Sequence, residues 1–406
     1  MHSFYSIGFF GIPNLGDELL AAMVVAGLRA EFPGCTLRLQ TRDARLSRRY
    51  AGIEAEFVEG HAPWPEYLRH LPHHVRAVAR SDLVVIGGGG LIGDRYGWTA
   101  IPRYAIDACW AVLLGKPYVF VGLGVPGIRR RWLRPLTRFL CRHAAAACCR
   151  DPASAARLKA LGGRDDVAVA PDLGNLVRMR FSSLPEPRGY ALMNFREKPP
   201  LNESRLAELC GELVERCGEL VLLVAEASDV GYYERIVAGW PARWQAATRI
   251  VNPLSLDEAI RWICEARVVA AERLHVNLLA AHAGRPLLTL DYEEKVGKFV
   301  ASLGGGSLVC MLDEMGADWA RRLVATDAPA WSSRLDELAR EAQAGLVGTV
   351  RKGLNGRPYR ARTRALALVH LLGIMLVTVA CSVVVIVKRL LFGRRSRPHP
   401  ALGSGG

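Results

Sequence analysis

The chain has 406 residues, long enough for two domains, and carries 53 Lys and Arg against 39 Asp and Glu, a formal net charge of +14. Eleven of the cations lie from Arg351 onward, where there is no Asp or Glu, which leaves +3 on the rest of the chain. The basic excess frames the C-terminus instead of lining a groove, which removes the main argument for nucleic acid as a partner.

Apolar strands alternating with helices predict an α/β architecture. Phe4–Phe9 reads as a first strand, Gly11–Gly16 as a tight glycine loop, and Asp17–Ala22 as the opening of a helix. Such a loop presents backbone N–H groups at a helix N-terminus, which suits an anion, although Asp17 also fits a plain helix cap. The loop matches neither the dinucleotide fingerprint nor a Walker loop. Gly87–Gly90 follows the strand Leu83–Ile86 and leads to Asp94, and Gly122–Pro126 follows the strand Tyr118–Val121. Glycines there let backbone turn where side chains would collide with a ligand. Cys148–Ser154 then puts Arg150 at a strand end and an Asp-Pro start on the next helix.

A first domain over 1–175 is followed by a polar bridge, 178–188, and a second domain over 189–328. In the second, Glu219–Val224 is a buried strand and Ser255–Glu258 a capping box. Val268–Ala271 reads as a strand, Leu274–Ala283 as a buried helix, and Arg285–Leu290 as another strand with Tyr292–Lys295 at its end. His275 and Lys295 thus fall outside the carboxyl ends of strands, where open α/β sheets gather ligands. Two permanent cations with one group that moves a proton near neutral pH are equipment for a small polyanion.

Taken together, Gly11–Glu18, Gly87–Leu91 with Asp94, Arg150-Asp151 with Ser154, Arg273-Leu274-His275, and Tyr292 with Lys295-Val296 resemble the polysaccharide pyruvyl transferases over roughly residues 5 to 300. The resemblance implies two Rossmann-like domains facing a GT-B-like cleft, and transfer of pyruvate from phosphoenolpyruvate to a sugar as a ketal. It also places Arg150, His275 and Lys295 in the donor site. Gly122–Pro126 is one residue longer than the family's usual turn, and Ala170–Leu173 inverts its Asp-Pro order.

The chemistry fits these residues independently. A donor with a carboxylate and a phosphate needs Arg or Lys forks and oriented N–H groups. Ketal formation needs a proton delivered to the methylene carbon and a sugar hydroxyl deprotonated, for which His275 is the candidate acid/base. Arg150 and Lys295, with Arg273 beside them, are expected to hold the anion. Asn14, Asp17 and the loop Gly88, Gly89, Gly90 are expected to shape the acceptor side, with Asp94 a further substrate-binding residue. No metal or other cofactor is called for. Ten cysteines without C-x-x-C or zinc spacing read as buried thiols of a reducing compartment.

Near the end, 331–350 reads as an amphipathic helix that docks on the second domain or lies on the membrane. Ala365–Val387 carries no Asp, Glu, Lys or Arg and is long enough to cross the hydrocarbon core, with basic residues on both flanks that fit either a single crossing or a re-entrant segment with both ends cytosolic. No signal peptide precedes the first strand, so the expected location is a cytosolic catalytic body attached to the inner membrane by this segment. The resulting expectation is a pyruvyl transferase acting on a lipid-linked glycan during surface polysaccharide assembly, in contact with membrane lipids. A GT-B glycosyltransferase with a nucleotide-sugar donor and a non-catalytic membrane scaffold are the alternatives.

Overall fold

The computed structural model describes residues 1–60, 66–94, 97, 99–180, 186–197, 201–291 and 294–392. Within these, the side chains of 66–68, 179–180, 294–295 and 378–392 lie outside the described residues. Tyr292, Glu293, part of the 178–188 bridge and the basic residues from 393 onward also fall outside it.

Two parallel sheets organise the chain. The first holds β1 Ser3–Ile7, β2 Thr36–Thr41, β3 Glu56–Glu59, β4 Leu83–Gly89, β5 Tyr118–Leu123, β6 Ala146–Cys149 and β7 Val167–Val169, in the order β3-β2-β1-β4-β5-β6-β7. The second holds β8 Ala191–Asn194, β9 Leu220–Leu223, β10 Thr248–Val251, β11 Val268–Ala271, β12 Leu287–Asp291 and β13 Leu308–Met311, in the order β10-β9-β8-β11-β12-β13. Helices cover both faces, so central strands need apolar or small residues at every position. β4, β5 and β11 are buried throughout. In each sheet the strand order reverses between the first and fourth strands, β1/β4 and β8/β11, and ligands of such sheets bind at that reversal.

Ser255 caps its helix as predicted, its Oγ accepting the Glu258 N–H at 3.1 Å, while the Glu258 carboxylate accepts the Leu254 N–H at 2.8 Å, one residue before the cap. The helix Ser332–Leu354 is amphipathic as expected, but its apolar stripe of Leu335, Leu338, Ala342, Leu346 and Val350 carries the chain back to the first domain. Gln343 Nε2 donates to the Gly27 carbonyl at 3.0 Å, and Arg351 pairs with Glu31. Two glycines on this helix permit the approach, since a Cβ at Gly345 or Gly353 would overlap Ala170 or Val119. Position on the partner surface, not the stripe itself, decides which domain such a helix covers.

The last helix, Ala361–Phe392, begins by packing on the first domain through Ala367, Leu371 and Ile374. Half of the expected membrane segment is therefore docked on one side, and its side chains from 378 onward lie outside the described residues. Among the described residues, no helix is long and apolar enough to cross a membrane.

Candidate functional site

A cleft of about 570 Å³ lies between the domains, lined from the loops after β1, β4, β5, β6, β8, β9 and β11. All of these are carboxyl ends of parallel strands, and both strand-order reversals open into the same space.

Three side chains from three segments meet there. Arg150, just after β6, donates from Nη1 to Asp172 Oδ2 at 3.0 Å. Asp172, in the turn after β7, accepts the Gly174 N–H at 2.9 Å with Oδ1. The same Oδ1 lies 3.6 Å from Nε2 of His275, the second residue of the helix Leu274–His282 in the other domain. Burial alone would raise the Asp172 carboxyl, but His275, the Arg150 guanidinium and the Gly174 N–H outweigh it and hold the group well below the ordinary carboxylate range. His275 Nε2 is buried without a hydrogen-bond partner among the described residues and faces this carboxylate just beyond hydrogen-bond length.

Glycines shape the space around this group. A Cβ at Gly16 would overlap His275 Nδ1, so the two helix N-termini close on each other only because residue 16 has no side chain. A Cβ at Gly124 would sit 3.0 Å from both Nε and Nη2 of Arg150. The longer Gly122–Pro126 turn is tied down by Ser154 Oγ, which accepts the Val125 N–H at 3.0 Å, and by Arg157 Nη1 on the Val125 carbonyl at 3.0 Å.

The helix carrying His275 has no side-chain cap, and its Leu274 and His275 N–H groups have no acceptor among the described residues. Free N–H groups at a helix N-terminus favour a phosphate or carboxylate. By contrast, Asn14 caps the helix Leu15–Glu31 by accepting from Gly16 at 3.0 Å and Asp17 at 3.4 Å. Asn14 Nδ2 also reaches Glu226 of the other domain at 3.4 Å.

The remaining expected residues divide. Asp17, Gly89, Gly90 and Arg273 line the cleft. Gly88 turns the backbone at φ 75° behind it. Asp94 is buried and accepts the Arg129 and Arg130 N–H groups at 3.0 and 2.7 Å, which fastens the tetraglycine loop to the 124–130 loop. Arg273 faces Asp229 and Glu226 at 2.6 and 2.8 Å, so its charge is already matched by the protein. The Lys295 side chain lies outside the described residues, but Lys298, one turn further along the helix Glu294–Ser302, lines the cleft 3.5 Å from Asp151.

Asp172, Lys298, Arg157, Arg196 and Glu226 are site residues that sequence reasoning missed. For Asp172 a signal existed, an acidic residue just past a short strand, in the turn where the family's order is inverted. Lys298 follows from helical spacing after Lys295. Glu226 and Arg196 needed the fold.

Beneath the first loop, Glu18 accepts the Gly11 and Ile12 N–H groups at 2.6 and 3.4 Å. Burial pushes its carboxyl from 4.5 up to about 7 despite those bonds. A carboxyl raised in the folded state contributes stability that is fully present below 4.5 and is lost as pH rises through about 7. Glu18 therefore pulls the melting temperature down between pH 5 and 8, against the buried His282, whose depressed imidazole pulls it up as pH rises to about 6.5. Glu18→Gln should remove the Glu18 part, so that the variant gains on the wild type as pH rises. Parallel thermal melts of the two proteins across this range, read by circular dichroism, check it.

The family model described as polysaccharide pyruvyl transferase matches residues 14–294. No curated protein matches the chain. Among solved structures, Anabaena Alr3699/HepE in complex with UDP-glucose is similar at 12% identity and TM-score 0.55, over 87% of this chain and 98% of that one. UDP-GlcNAc 2-epimerase from Neisseria meningitidis bound to UDP-GlcNAc is similar at 12% identity and TM-score 0.53, over 88% and 100%. S. aureus MnaA with UDP is similar at 12% identity and TM-score 0.57, over 87% and 97%. At such identity the likeness speaks for the two-domain fold.

Proposed function

This chain belongs to the polysaccharide pyruvyl transferase family, and on that premise we propose that its cleft moves the pyruvyl group of phosphoenolpyruvate onto two hydroxyls of a sugar in a lipid-linked glycan, as a ketal. The observation that carries the reading is the Arg150, Asp172 and His275 group, beside a helix N-terminus whose N–H groups are unclaimed.

The chemistry divides among these residues. The Asp172 carboxylate faces His275 Nε2 at 3.6 Å, which leaves Nδ1 as the nitrogen that exchanges protons with substrate. Nδ1 gives its proton to the methylene carbon of the donor, which makes that carbon a methyl group and leaves C2 electron-poor. A sugar hydroxyl adds to C2 and returns its proton to Nδ1. Phosphate then departs with the C–O bonding pair, and a second hydroxyl adds to C2 and closes the ketal, its proton passing to the departing phosphate. Arg150, Lys295, Lys298 and the Leu274 and His275 N–H groups hold the donor's anionic ends and the phosphate as it leaves. Arg273, matched by Glu226 and Asp229, keeps the helix start in place.

Titration calorimetry of phosphoenolpyruvate into the protein tests the donor. Binding is expected, and Arg150→Ala or Lys295→Ala should weaken it by roughly 1.5 to 3 kcal/mol, as for a lost charged hydrogen bond. Tight binding of UDP-sugars with none of phosphoenolpyruvate would sink the reading.

The lipid-linked acceptor goes with membrane attachment of a cytosolic body through the apolar segment that starts at Ala365. Apolar insertion is not screened by salt, whereas attraction of basic clusters to anionic lipid is. The protein should stay with membranes through a high-salt wash. Release by salt alone would show that charge does the holding.

A further inference from the structure

Within the helix Ala361–Phe392, the stretch 365–377 is apolar on every side apart from His370, although the protein covers one side only. Ala367, Leu371 and Ile374 point inward, into the cluster that holds Leu133, Phe139 and Leu140. Leu366, Leu368, Val369, Leu372, Leu376 and Val377 point outward, with Val369 65% and Leu376 73% exposed. A helix on a water-facing surface carries polar residues on that side.

The neighbouring helix says what covers this face. Arg134–His143 lies beside it, with the Phe139 and His370 rings 4.9 Å apart and the Tyr359 hydroxyl on the His143 carbonyl at 3.2 Å. Its buried side is Leu136, Phe139 and Leu140. Arg131, Arg134, Arg138 and Arg142 follow one another at helical spacing and are all exposed. No carboxylate among the described residues pairs with any of the four, and none occurs in the sequence between Asp107 and Asp151. Trp132, next to Arg131, is 56% exposed. Arg360, Arg362 and Arg364 add exposed charge at the start of the apolar helix. A second copy of the chain docking here would bring arginine row against arginine row. Anionic headgroups complement the row, hydrocarbon takes the leucines, and tryptophan favours the boundary between the two.

We propose that this face of the first domain, the arginine row with Trp132 and the outward side of 365–377, lies on the surface of an anionic phospholipid bilayer. It rests on the membrane attachment proposed above and adds that the body itself is oriented on the lipid, not hung from a tail. The orientation suits a lipid-borne acceptor. The loop that lines the cleft at Val125 and Pro126 reaches Arg131 within five residues, at most about 17 Å of chain.

Flotation of the full-length protein with phosphatidylcholine vesicles, with and without phosphatidylglycerol, tests it. The wild type should float with the anionic vesicles. Replacing Arg131, Arg134, Arg138 and Arg142 together by Ser should weaken that binding by more than about tenfold. Trp132→Ser should weaken it for both vesicle types, and serves as the reading if the fourfold variant does not fold. Binding unchanged in both variants overturns the docked face while leaving attachment by the segment intact. Failure of the wild type to float at all overturns both. A stable dimer in light scattering that Leu372→Glu dissociates assigns the face to a second copy and also overturns the proposal.

Discussion

Replacing His275 with Gln should lower turnover about a hundredfold to ten-thousandfold, while donor affinity changes far less. Glutamine keeps roughly the volume and a hydrogen-bonding group, so the cleft retains its shape, and Arg150 with the helix N-terminus still holds the anion. What disappears is a group able to pass a proton between the sugar hydroxyl and the methylene carbon. Steady-state phosphate release gives turnover, and calorimetry gives affinity. Equal losses in both would recast His275 as a binding residue, and near-normal turnover would remove it from the mechanism. Asp172→Asn should follow in the same direction with a smaller loss, because the imidazole remains but loses the carboxylate that orients it.

Gly16→Ala should be almost as damaging, and for a reason that runs against local propensity. Residue 16 lies in the first turn of a long helix, where alanine in place of glycine would ordinarily stabilise by about 0.5 to 1 kcal/mol. Here the added Cβ overlaps His275 Nδ1. Either the imidazole turns out of place or the helix starts part, and a displacement of about 1 Å at a reacting group can cost on the order of a hundredfold in rate. Relieving the overlap costs packing between the domains and offsets the helix gain, so melting temperature should hold or fall modestly while turnover drops far more. A variant with unchanged turnover would show that the domains do not need to be this close for catalysis.

Much of this was legible in the sequence because parallel sheets leave plain traces. Strands buried on both faces read as short apolar runs, as in Leu83–Ile86 and Val268–Ala271, and the glycine turns after β1, β4 and β5 mark the ends where ligands gather. That logic placed Arg150 and His275 correctly at strand ends. The pairing of His275 with Asp172 was not legible, since the two are brought together by how one domain faces the other. The same holds for Arg273, which reads as a free cation until Glu226 and Asp229 are seen around it. Asp94 looked like a site carboxylate, yet its oxygens are occupied by the Arg129 and Arg130 N–H groups. For Ser332–Leu354 the stripe was evident, but its destination depended on the small surfaces at Gly345 and Gly353.

The central claim is that the donor is phosphoenolpyruvate. The most direct measurement incubates the full-length enzyme with carbon-labelled phosphoenolpyruvate and a membrane lipid extract, in parallel with labelled UDP-sugars and the same extract. The account predicts that pyruvyl label enters a lipid-extractable glycan, that one phosphate is released for each label transferred, and that His275→Gln slows both at least about a hundredfold. Sugar transfer from a UDP-sugar with no consumption of phosphoenolpyruvate would contradict it.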